Sequence, residues 1–160
     1  MNGNLTREDA VKLAQAALAA HQVKGSPGLN AQNYGGFDDG AQPVVFEYSA
    51  DHKVLNVLAL CYRFRKPPRP GLLEAYREEA NLGTDTGGGI VEFRSDIGGL
   101  FLSKQASVDE LPKPGVRRAT YFSIEPARFV EDIDRLMRAA TYWAEDVLPA
   151  VASKVFGHDK

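Results

Sequence analysis

The run Val54 to Phe64 restricts what this chain can become more than any other stretch. It is dense in β-branched, aliphatic and aromatic residues, the composition of a strand. At a period of two, Leu58, Leu60, Tyr62 and Phe64 fall on one face, and Val57, Ala59 and Cys61 fall on the other. Apolar groups on both faces predict a central strand, with one face open to a covering partner. Val44–Tyr48, joined to it across Ser49–Lys53, reads as its antiparallel neighbour.

A sheet of this kind needs a helical layer, and the sequence supplies one at each end. Thr6 followed by Asp9 reads as a capping box opening a first helix, whose apolar stripe is Ala10, Leu13, Ala14, Ala17, Leu18 and His21. Near the other end, Pro126 suits a first helical turn, where its missing amide costs nothing. Phe129, Ile133, Leu136, Met137, Ala140, Trp143, Ala144 and Val147 then form the strongest helical stripe in the chain, predicted to lie across one face of the sheet. Pro149 is expected to end or kink that helix. Residues 23–42 hold repeated turn signals, so either a short edge strand near 29–34 or an exposed loop is expected.

Between these layers lies the junction Ala80 to Arg94, where a helical pattern gives way to an alternating one across Gly83-Thr84-Asp85-Thr86-Gly87-Gly88-Gly89. The helix before it runs from Gly71 to about Asn81, with Leu72, Leu73, Tyr76 and Ala80 on one side. The hairpin after it spans Ile90 to Lys104, turning at Ser95–Gly99. A linker at 109–115 and a further strand at 119–124 complete the order. Upstream, Arg63, Arg65, Lys66 and Arg69 surround Pro67, Pro68 and Pro70, a run that reads as a solvated turn or as a site for an anion or acidic partner. The expected architecture is a single α+β domain over 1–160, with flexible ends near 1–4 and 157–160. Its antiparallel sheet has five or six strands flanked by three helices, in the order α-β-β-β-α-β-β-(β)-α.

Composition narrows function mainly by exclusion. A net charge of −2 opposes a whole-domain nucleic-acid binder, which needs clustered positive charge. No run approaches the length of a membrane span, and the amino-terminal residues lack a signal pattern, so a cytoplasmic location is expected with neither nucleic acid nor membrane as partner. The single cysteine, Cys61, reads as a small buried apolar residue. Asp85-Thr86-Gly87 is the triplet of aspartic proteases, but no apolar strand precedes it and two more glycines follow, so it reads as a turn. His21, His52 and His158 lack the spacing of a metal site, and the glycines lack the Gly-Lys-Ser/Thr of a phosphate loop. Neither a metal nor an organic cofactor is expected.

The element order, carried by Pro43–Tyr48, Val54–Tyr62, the helix Leu72–Asn81, the hairpin Gly88–Ser103 and the helix Phe129–Val147, resembles the type III secretion chaperone family, with its Tir-chaperone-like fold. The resemblance implies a non-catalytic homodimer in which Leu72, Leu73, Tyr76, Val91 and Phe93 meet their symmetry mates. It also implies that Leu13, Leu18, Val44, Phe46, Tyr48, Leu58 and Tyr62 contribute to a surface for an extended segment of a client protein. A bacterial binding or regulatory domain of the same fold is the alternative, and a small hydrolytic enzyme a second.

Overall fold

In the computed structural model, which describes residues 4–38, 40, 42–107 and 122–156, the two-faced apolar run is strand β3 (Val54–Arg63) and stands at the centre of the sheet. The other strands are β1 (Tyr34–Phe37), β2 (Val44–Ser49), β4 (Ile90–Arg94) and β5 (Gly99–Ala106). Their order is β1-β2-β3-β5-β4, antiparallel throughout. The protein is thus α+β with a five-stranded antiparallel sheet. Of the strand expected at 119–124, residues 119–121 lie outside the described residues, and Phe122 makes one parallel bridge to Ala106. The 109–115 linker and the ends 1–3 and 157–160 also lie outside them.

Helix α1 (Arg7–Ala20) begins as the capping signal predicts, the Thr6 hydroxyl accepting from the Asp9 amide at 3.1 Å. The edge strand of the 23–42 region sits slightly later than expected, at Tyr34–Phe37, because Asn30 accepts the Gln32 and Tyr34 amides and holds 30–33 as a turn. Arg7 fixes this turn to the start of α1 through Asn33 Oδ1 and the Asn30 carbonyl.

The long carboxy-terminal helix, α3 (Pro126–Tyr142), packs on α1, β3 and β5, so α1 and α3 form the layer on one face of the sheet. Its predicted stripe is buried apart from half-buried Ala144, with Phe129, Ile133, Leu136, Ala140 and Trp143 completely so. Pro149 does not end the helix. A π-helical turn, Trp143–Val147, precedes it, and α4 (Leu148–Phe156) continues beyond. A proline removes one amide donor and crowds the carbonyl four residues back, and the wider turn accommodates both within a continuous helix. Helix α2 (Leu72–Asn81) stands apart from this layer, against α4 and β4.

One local irregularity reverses the expected facing of β3. Leu60 pairs with Phe101 but Tyr62 pairs with Leu100, so the strand carries a bulge at Cys61. Tyr62 and Phe64 therefore turn to the helix side rather than sharing a face with Leu58 and Leu60. There Tyr62 meets Phe64 edge to face at 4.8 Å, and Phe64 meets Phe93 at 6.0 Å.

The sheet face away from the helices carries Val45, Glu47, Leu58, Phe101, Glu92 and Arg94. Arg94 reaches from the edge strand β4 to β2, donating to both Glu47 carboxylate oxygens at 2.9 and 2.6 Å and also to Glu92. These bonds, the one to Glu47 foremost, raise the Arg94 pKa further above its ordinary value. Leu58 and Phe101, on the strands between, are buried.

Candidate interaction surface

Residues 80–94 line a surface hollow, and three features build it. Helix α2 ends at Asn81, the turn 82–89 reverses the chain, and β4 follows as the outer strand, with β5 alone beside it among the described residues. The hollow between them has a volume of about 590 Å³ and is lined by Arg77, Asn81, Thr84, Thr86, Ile90 and Val91 among others. Two large aliphatic side chains stand exposed beside it, Leu82 at 79 % and Ile90 at 52 %.

The turn itself is rigidly tied. Asp85 Oδ1 accepts the Gly87 amide at 2.8 Å, Thr86 Oγ1 donates to the Gly89 carbonyl at 2.8 Å, and the indole N–H of Trp143 donates to the Asp85 carbonyl at 2.7 Å. Gly87 has a φ of +65° and lies so close to α3 that a Cβ there would meet Leu136 Cα at 2.8 Å. Asp85 is thereby occupied as a turn residue, which is the reading its sequence context gave.

The residues named from sequence for self-association divide in two. Leu72 and Tyr76 are buried in the core and anchor α2 to its own protomer, while Leu73, Val91 and Phe93 are partly buried against that core. Burial, with Tyr62 nearby, raises the Tyr76 phenol above its ordinary pKa. The side chains that do project from this region, Leu82 and Ile90, went unnamed in the sequence because each falls outside a periodic stripe. Their signal was present all the same: a leucine just past a helix end and an isoleucine at the head of an outer strand.

The client residues require a correction. Leu13, Leu18, Val44, Phe46, Tyr48 and Leu58 are all buried in the protomer, so their side chains offer no surface. The α1 and β2 residues lie on the inward faces of their elements, α1 against the sheet and β2 beneath the helices, while Leu58 is buried on the sheet face away from the helices. Tyr48 instead serves the amino-terminal segment, its hydroxyl donating to the Leu5 carbonyl at 2.7 Å. Tyr62 alone is open, at 50 %, because the bulge carries it to the end of the aromatic row.

Groups with chemical potential are otherwise engaged. Cys61 is buried and its thiol is pushed up to about 12 by burial, which leaves it protonated at neutral pH. His21 Nε2 lies 2.9 Å from Asp134 Oδ1 with its ring stacked on Phe37, joining α1 to α3 and the sheet edge. Among the described residues no three His, Cys, Asp or Glu gather as metal donors, and no helix is long and apolar enough to cross a membrane.

No family model matches the sequence, and no curated protein does. Among solved structures, a chain in the crystal structure of the ExsC–ExsE complex is similar over 89 % of this chain and 96 % of its own, with a TM-score of 0.61 at 13 % identity. At that identity the likeness is one of fold, and the secretion-chaperone-like α+β arrangement expected from the sequence is the arrangement observed.

Proposed function

We propose that this chain is a non-catalytic binding module of secretion-chaperone type, which pairs with a second copy and holds an extended segment of a client protein. The observation that carries the reading is the outer strand β4 beside an open hollow, flanked by exposed Leu82 and Ile90. An outer strand offers a row of unpaired amides and carbonyls, and aliphatic groups beside it supply the apolar contact that a paired surface needs. The likeness to a chain crystallised as part of a two-protein complex supports a protein partner over a small ligand. A hydrolytic reading draws no support from Asp85, which is held in a turn, or from Cys61, which is buried.

The self-association surface is the exposed side of α2 with the free edge of β4. Light scattering on the purified protein is expected to give twice the 17.5 kDa chain mass. Leu82→Glu with Ile90→Glu is expected to give a folded monomer, since both side chains project into solvent and the helical circular dichroism survives. Client binding is tested by capture from the native cell, with the bound protein identified by mass. A wild-type protein that runs as a monomer and retains no client overturns the proposal.

A further inference from the structure

The segment Tyr62–Pro70 lies beyond the bulge, at the amino-terminal end of α2, away from the Leu82 and Ile90 end of the same helix. Arg63, Arg65, Lys66 and Arg69 are all exposed, and no acidic residue interrupts them. Among the described residues no carboxylate comes within ion-pair distance of Arg63, Arg65 or Lys66, although the chain as a whole carries more acidic than basic residues. Arg69 has its guanidinium 4.3 Å from the centre of the Phe156 ring, so the far end of the segment is docked on α4. The near end is docked too, the Phe64 amide donating to the Gly98 carbonyl at 2.8 Å. Between the two docks Pro67 and Pro68 remove backbone freedom.

From this arrangement we infer that Tyr62–Arg69 is a recognition strip for an acidic stretch of the client polypeptide. The inference rests on the client-binding reading and names the chemistry of the segment held. Arg63, Arg65 and Lys66, exposed on a stiffened segment, attract carboxylates with little ordering cost on the protein side. Half-exposed Tyr62 projects from the opposite face of β3 to Arg63, so the charges and not the ring define what the strip matches, a stretch rich in Asp or Glu. A polypeptide fits better than a nucleic acid. Setting these four cations aside leaves fifteen Lys and Arg against twenty-one Asp and Glu, so a phosphate backbone running beyond the strip meets repulsion, whereas a short acidic stretch ends within it.

The test is fluorescence anisotropy on the intact protein with three labelled probes: an acidic peptide of alternating Glu and Leu, its Gln counterpart, and a single-stranded oligonucleotide of equal charge. The acidic peptide is expected to bind at least tenfold tighter than the other two, with an affinity that falls as salt rises. Arg63→Gln/Arg65→Gln/Lys66→Gln should abolish that preference, and Arg63→Lys/Arg65→Lys should keep most of it. Equal binding of the Glu and Gln peptides, or an unaltered preference in the Gln variant, overturns the inference. An oligonucleotide that binds as tightly as the acidic peptide overturns the partner class. Failure of the broader client reading shows separately, as a wild-type protein that captures nothing from its cell whatever these probes do.

Discussion

At Gly87 two constraints coincide that only a glycine satisfies. The backbone sits at a φ of +65°, and the space a side chain needs is filled by Leu136 and the Arg135 carbonyl. Gly87→Ala incurs the left-handed penalty and also pushes the turn off α3, for an expected loss of about 2–3 kcal/mol in chemical denaturation. A loss under about 0.5 kcal/mol would show that the turn shifts freely. Much at this scale was legible in the sequence, because it depends on near neighbours. Asp85 reads as a turn residue from the glycines around it, and Thr6 reads as a cap from the acidic residues after it. Contacts between distant residues were not legible. One is that of Lys104, buried on the helix side of β5 with its ammonium 4.6 Å from the centre of the Phe122 ring.

The elements were read with similar unevenness, and the misses share a cause. Periodicity found α1, α2, α3 and four of the five strands with nearly correct bounds, since each buries one regular face. It could not register the bulge at Cys61, because one inserted residue leaves composition unchanged while exchanging the faces of all that follows. That exchange is why Tyr62 and Phe64 turn to the helix side, where Phe64 meets Phe93. The continuation of the last helix past Pro149 was missed for a parallel reason, since a proline signal does not reveal that a wide turn will absorb it. Trp143 belongs to that π turn and holds the 82–89 reversal through its indole N–H. Trp143→Phe keeps the ring buried and removes one hydrogen bond, expected to cost about 1 kcal/mol. Amides of residues 83–89 should then exchange faster while those of β3 stay protected, and uniform acceleration across both would argue against a local tie.

For the molecule as a whole, Arg94 matters because its side chain spans the sheet. It ties β4 to β2 over two intervening strands, and so couples the outer strand proposed for pairing to the far half of the sheet. Arg94→Met should cost about 2–3 kcal/mol, because Glu47, 17 % exposed, loses its bidentate partner. Glu47→Gln in the same background should recover part of that loss, and simple additivity of the two substitutions in thermal unfolding would count against the tie. The fold class was legible at this scale because element order and length decide it. The proposed interaction surface was not, since the family resemblance implied a client role for Phe46 and Leu58, which are buried within their own protomer.

The place of α3 has a consequence for how the protein is made. Its contacts reach α1, β3 and β5, and its residues Leu136 and Ala139 stand against the Gly87 turn. Strand β3 likewise waits for β5, which follows it by more than thirty residues. A ribosome moving along the message thus releases the apolar faces of α1, β2 and β3 well before the helix that covers them exists. Translation through Val147 precedes closure of the core, and until then the emerging chain is itself an unfolded segment that a holding protein could bind.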